Sequence, residues 1–273
     1  MGAAISDRRS LPGVGVLTMG PEDAGETVLY LHGWGGSKEL WWNTLTALSS
    51  TVRGVALDLP GTGDTLMPSG LRSMSNMARW VYETCKDLSL DAVTLVGHSL
   101  GGNLAAQVAL EYPALAKRLV LVNAALEPQH FPPRSRWPLS ERHGLTALRL
   151  ARWGTLPLAL AGRRVRHTHR GGHWGPLARR MHWYVSANTD AALQVQIRAL
   201  CDNNLSAERL AALRLPLLIA HGKRDRIIPV ERAHALASAL PHARLAVFPM
   251  AHHCPMDTDP PGFAHVLREF ISD

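Results

Sequence analysis

Residues 92–110 read A-V-T-L-V-G-H-S-L-G-G-N-L-A-A-Q-V-A-L. The first five are a short aliphatic, β-branched run of the kind that forms a buried strand, and the last nine form a helix-like stretch. Between them stands Gly97-His98-Ser99-Leu100-Gly101, a G-x-S-x-G turn. Strand, G-x-S-x-G and helix in that order make a sharp turn whose two glycines let strand and helix pack closely, leaving the Ser99 hydroxyl exposed at the carboxyl end of a sheet. There the N–H of Leu100 points toward a developing oxyanion, beside the partial positive charge of the helix start. The stretch therefore predicts a nucleophilic serine, Ser99, with Leu100 as one oxyanion donor.

Outward from this turn, short aliphatic runs recur at Val14–Leu17, Thr27–Leu31, Val52–Leu57 and Leu119–Val122, each followed by a helix-like or Gly-rich stretch. Alternation of this kind predicts an α/β fold, a mainly parallel sheet with helices on both faces. It breaks at Leu126 and resumes at Leu217–Ala220, with a helix over Val230–Leu240, a strand over Leu245–Phe248 and a last amphipathic helix over Gly262–Ile271. The interval contains helix-like pieces at Leu145–Arg152 and Ala191–Leu200 but no clear strand. We expect one core in two parts, residues 1–125 and 206–273, with residues 126–205 inserted as a helical cap.

Two further strand ends carry candidate chemistry. After Thr27–Leu31 comes His32-Gly33-Trp34-Gly35-Gly36, an HGxxG loop of the sort that supplies a second backbone donor, here the N–H of Trp34. His32 is expected to brace that loop by hydrogen bonding. A nucleophilic serine also needs a base within reach and a carboxylate to orient it. Asp225 stands in the loop after Leu217–Ala220, with Pro229 opening the next helix. After Leu245–Phe248 come His252 and His253, and chemistry alone does not choose between them.

These motifs together resemble the α/β-hydrolase superfamily over essentially the whole chain. The segment Gly222–Pro229 resembles the family's G-x-x-D-x-x-x-P acid loop. Aligning Pro255 and Pro260 with the two prolines of its G-H-x-P-x-x-E-x-P base loop puts the base at His253, with His252 in place of the usual Gly and Thr258 in place of the usual Glu. Asp58–Thr65 resembles the family's D-x-P-G-x-G-x-S turn, expected to be structural. Serine at the elbow argues against the branches that use aspartate there. The resemblance implies that Ser99 attacks a carbonyl, His253 takes its proton and Asp225 orients the imidazole, with no cofactor and no metal. The HGWG loop, the DLPG turn and the A-H-x-P base loop resemble in particular the carboxylesterases that demethylate a pimeloyl carrier-protein ester. That implies a small-molecule or carrier-protein-linked acyl ester as substrate.

Composition narrows the alternatives. Of 273 residues 46% are hydrophobic, and no apolar run reaches the roughly 20 residues of a membrane span. The first ten residues show no secretory pattern. The three cysteines, Cys85, Cys201 and Cys254, are odd in number and far apart, which argues against a disulfide framework or zinc site and for a reducing cytoplasm. The net charge of +7 is concentrated: residues 126–205 hold twelve arginines and four acids, so the rest of the chain carries −1. Within that segment Trp137, Trp153, Trp174 and Trp183 suit an apolar acyl group, while Arg163, Arg164, Arg166 and Arg170 suit a carboxylate, a phosphate or an acidic carrier protein. A solvated basic face is the alternative reading. His167, His169 and His173 lie among Arg and Gly without carboxylates, so no metal is expected. Basic charge without a recognition motif does not argue for nucleic acid. A thioesterase or C–C bond hydrolase would share the same residues, whereas a ligand-sensing relative would not need them all.

Overall fold

The computed structural model describes residues 11–128 and 189–273. The expected cap residues 129–188, with Leu145–Arg152, the four tryptophans, Arg163, Arg164, Arg166, Arg170 and the three histidines, lie outside the described residues. Among the described residues seven strands form one sheet: β1 (Val16–Met19), β2 (Thr27–Leu31), β3 (Arg53–Leu57), β4 (Val93–His98), β5 (Ala116–Val122), β6 (Leu217–Gly222) and β7 (Ala243–Phe248). Their order is β1-β3-β2-β4-β5-β6-β7. Only β1 is antiparallel, running against β3 from Val16 opposite Leu57 to Met19 opposite Gly54. All other pairings are parallel.

The described helices are α1 (Trp42–Leu48), α2 (Met74–Asp87), α3 (Leu100–Glu111), α4 (Asp190–Cys201), α5 (Ala207–Leu210), α6 (Val230–Ala239), α7 (Pro255–Thr258) and α8 (Pro260–Ser272). Side chains of a strand alternate between faces, and here each face finds its own cover. Leu29, Leu31, Leu95, Leu119 and Leu121 join one core with residues of α2 and α3. Val28, Tyr30, Val96, Val120 and Val122 join the other with Trp41, Leu45, Phe263 and Leu267. The central strands are therefore largely apolar on both faces, with Thr94 a buried polar exception in β4. Helix α2 shows the matching pattern at 3.6-residue spacing, burying Met74, Met77, Ala78, Val81 and Cys85, with the Ser73 hydroxyl capping its start through the N–H of Asn76.

The turn at Asp58–Thr65 is structural. Asp58, fully buried, accepts from the N–H of Lys38 at 2.8 Å, from Lys38 Nζ at 2.6 Å and from the N–H of Asp64 at 2.9 Å. Burial alone would favour a neutral Lys38, but Asp58 beside it, with Glu39 and Asp64, holds the ammonium charged. Helix α4, the described return of the 126–205 segment, rests on this turn: Gln196 Nε2 donates to the carbonyl of Pro60 at 3.0 Å. Among the described residues no helix is long and apolar enough to cross a membrane.

Candidate active site

Strand β4 ends at His98 and α3 begins at Leu100, so Ser99 alone makes the turn, with φ 54° and ψ −116°. Positive φ is costly for a residue with a Cβ, and here the backbone is pinned from several sides. The Ser99 N–H donates to Val122 O, and its carbonyl accepts from the N–H groups of Gly102, Asn103 and Ala125. A Cβ on Gly97 would lie 2.1 Å from the Gly101 carbonyl oxygen, and one on Gly101 2.4 Å from those of Leu31 and His32, so the approach of strand to helix needs both glycines.

The expected oxyanion loop follows β2. His32 Nδ1 donates to Gly33 O at 2.7 Å and its Nε2 accepts from the N–H of Leu59 at 2.9 Å. A carbonyl can only accept and an amide N–H can only donate, so the imidazole is neutral with its proton on Nδ1. Burial agrees, pushing the His32 pKa down to about 4. His32 thus bridges two loops, as expected. The Trp34 indole, half-buried, donates through Nε1 to Leu193 O on α4 at 2.9 Å. The N–H of Leu100 lies in the first turn of α3, where amides lack intrahelical acceptors.

The structure brings His253, not His252, to the acid. His253 Nδ1 donates to Asp225 Oδ2 at 2.7 Å, which leaves Nε2 as the basic nitrogen of the ring. His252 is exposed and its Nδ1 donates to Arg224 O at 3.2 Å, tying the base loop to the acid loop. Asp225 accepts at Oδ1 from the N–H groups of Ile227 and Ile228, at 2.7 and 3.1 Å, and at Oδ2 also from Asn123 Nδ2 at 2.6 Å. Burial pushes its pKa up, but the hydrogen bond and charge of His253 and the other donors outweigh that and bring it down to about 2. Thr258, in place of the usual Glu, donates its hydroxyl to Cys254 O at 2.9 Å.

Two residues at the site escaped the sequence reading. Asn123 follows β5 and is fully buried. His98 is buried behind the elbow; its Nε2 donates to His253 O at 2.8 Å, and its ring meets that of His253 edge-on with centroids 4.7 Å apart. The only local signals were a lone amide after an apolar strand and a histidine beside the serine. Their partners lie 102 and 155 residues away. Among the described residues no group of three or more His, Cys, Asp or Glu could hold a metal ion.

The buried histidines make stability depend on pH. Burial lowers the pKa of His98 to about 3 and of His32 to about 4, and also lowers that of His221. In the unfolded chain each titrates near 6.5, so below that pH the unfolded state binds more protons and stability falls. Their contribution is complete above pH 6.5 and is lost as the pH drops toward 4 and 3. Asp225 acts in the same direction in a lower window, from about 3.8 down to about 2. Between pH 7 and pH 5 His32 and His98 together should remove about 4 kcal/mol, roughly 10 °C of thermal midpoint. Calorimetry at the two pH values checks this; a drop below about 3 °C contradicts it.

The family model described as alpha/beta hydrolase fold matches residues 26–260. The pimeloyl-[acyl-carrier protein] methyl ester esterase of Nitrosomonas europaea is 30% identical over 254 residues, covering 88% of this chain and 93% of its own. Among solved structures, the enol-lactonase of Burkholderia xenovorans LB400 matches with a TM-score of 0.75 at 19% identity, over 95% of this chain and 96% of its own. A thermophilic esterase of Thermogutta terrifontis matches with 0.73 at 22% identity, over 99% and 98%. At those identities the structures speak to the fold, whereas the family model spans most of the sequence, site loops included. The chain belongs to the alpha/beta hydrolase family.

Proposed function

We propose that this hydrolase cleaves carboxylic esters through an acyl-enzyme on Ser99. The observation that carries the reading is the Asp225–His253 pair: a carboxylate held by three other donors fixes the imidazole with Nδ1 protonated and Nε2 free to take a proton. Ser99 Oγ attacks the ester carbonyl as Nε2 removes its proton. The N–H groups of Trp34 and Leu100 stabilise the oxyanion, a contribution of roughly 10²- to 10³-fold in turnover per donor. His253 then protonates the departing alcohol, and water releases the acid by the same steps in reverse order of roles. Asp225 stays ionised throughout. On this reading residues 126–205 form the cap that shapes the acyl site.

The substrate is an anionic or carrier-protein-linked acyl ester. Support comes from the similarity to the Nitrosomonas europaea esterase and from the arginines of residues 126–205. The test is a panel of p-nitrophenyl esters of increasing acyl length, with acyl thioesters and a carrier-protein-linked methyl ester as further arms. We expect turnover of esters, labelling of Ser99 by a fluorophosphonate, and a preference for the carrier-linked ester that weakens with salt and with replacement of Arg163 and Arg164. A folded protein inactive on every arm and unlabelled would overturn the serine-hydrolase reading. Equal rates on free and carrier-linked esters would remove the carrier.

A further inference from the structure

Asn123 follows β5 with φ +43°, a backbone conformation that asparagine tolerates better than most residues because its short polar side chain bonds locally. Its amide reaches two ways. Nδ2 donates to Asp225 Oδ2 at 2.6 Å, and Oδ1 accepts from the N–H of Gly222 at 3.2 Å. A carboxylate can only accept and an N–H can only donate, so the amide's orientation is fixed by its partners. One side chain thereby grips both the acid and the root of its loop. Oδ2 is also the atom that accepts the His253 proton, so Asn123 and His253 share one oxygen.

We propose that Asn123 is a positioning residue that aims the Asp225 carboxylate at His253 and weakens that oxygen's pull on the imidazole; the inference rests on the serine-hydrolase reading above. A hydrogen bond to a carboxylate oxygen draws off part of its charge. Without it Oδ2 holds the imidazolium more strongly, so His253 stays protonated to higher pH and less of it is available as a base near neutrality. Oδ1 keeps the N–H groups of Ile227 and Ile228, so the carboxylate remains attached but can twist.

The other groups facing the pair come from each neighbouring element. His98 from the elbow lies edge-on to the His253 ring, and Cys254 from the base loop lies against His98, its Sγ 3.8 Å from Nε2. His221 from β6 is 3.7 Å from Asp225 Oδ2, with its own Nε2 bonded to Ile228 O. Glu231 on α6 acts on His221, and His32 acts on His98, one step removed from the pair. Arg224 and Arg226 flank the acid, and His252 flanks the base. All are common to wild type and an Asn123 variant, so a change in His253 titration reports the missing amide.

The experiment compares wild type with Asn123→Gly, which removes the amide while accepting the positive φ, and Asn123→Asp, which keeps the size but sets a second carboxyl against Oδ2. The readouts are the His253 imidazole titration by nitrogen-15 NMR and the pH profiles of kcat and KM on a p-nitrophenyl ester. In Asn123→Gly we expect the His253 titration and the acid limb of kcat/KM to move up together by about half to one pH unit. We expect kcat to fall roughly tenfold with KM within about twofold. In Asn123→Asp the new carboxyl takes up a proton, because two adjacent carboxylates do not ionise together and Asp225 keeps three other donors; as an O–H donor to Oδ2 it should hold the His253 titration closer to wild type than Asn123→Gly does. A folded Asn123→Gly whose His253 titrates within about 0.2 pH unit of wild type would overturn the proposal, leaving Asn123 as packing. The titration needs no substrate: a shift in a protein that turns over no ester and takes up no fluorophosphonate supports the Asn123 assignment while the hydrolase reading fails.

Discussion

Replacing Ser99 by alanine is expected to lower kcat/KM on an activated ester by about 10⁴- to 10⁶-fold, the scale on which removal of a nucleophile acts when base and oxyanion donors remain. The fold should survive, since the hydroxyl takes no part in the backbone bonds that hold the turn. Ser99→Gly should lose as much activity and also relax the backbone. A residue with a Cβ at φ 54° and ψ −116° stores on the order of 1–3 kcal/mol, whereas the added chain entropy of glycine costs about 0.5–1 kcal/mol. The first exceeds the second, so the thermal midpoint of Ser99→Gly should match or exceed that of wild type by up to a few degrees. A clear fall in that midpoint would show the elbow to be unstrained, and retained turnover in Ser99→Ala would end the acyl-enzyme mechanism.

The second large effect separates two adjacent histidines. His253→Ala should reduce kcat/KM by about 10⁴-fold or more, because it removes the group that takes the serine proton. His252→Ala should stay within about threefold, since it deletes one exposed bond to Arg224 O, of the kind worth roughly 1 kcal/mol or less. Asp225→Asn should fall near His253→Ala, because an amide cannot hold the imidazole in the same tautomer. Steady-state rates on one p-nitrophenyl ester distinguish the three. If His252→Ala were the inactive variant, the assignment of the base would be reversed.

Much of the sheet was readable because its central strands are apolar on both faces. Thr27–Leu31 was bounded as observed, and the runs at Val52–Leu57, Ala92–Val96 and Leu217–Ala220 lie within two residues of β3, β4 and β6. The edges blurred where chemistry interrupts the pattern. Strand β5 starts at Ala116, three residues before its aliphatic run, because Lys117 and Arg118 reach out to pair with Glu26. Strand β1 starts at Val16 and not Val14, because the N–H of Gly15 bonds the Thr65 hydroxyl and Gly13 adopts φ +75°. The motif residues were readable for a different reason: Ser99, Asp225 and the histidine pair each stand in a short turn after a strand. His98 and Asn123 were not, since each works on a partner that only the closed sheet brings near.

Helix α4 enters the described chain on its way out of residues 126–205, and it holds the Trp34 indole through Leu193 and the Pro60 carbonyl through Gln196. The proposed cap is thus not a detachable module. A chimera that grafts a relative's version of residues 126–205 onto this core also exchanges the acceptor that anchors the oxyanion loop. On the proposed mechanism, shuffling residues 126–205 transplants catalytic geometry along with substrate preference, and residues 32–36 and 58–65 belong in the same cassette.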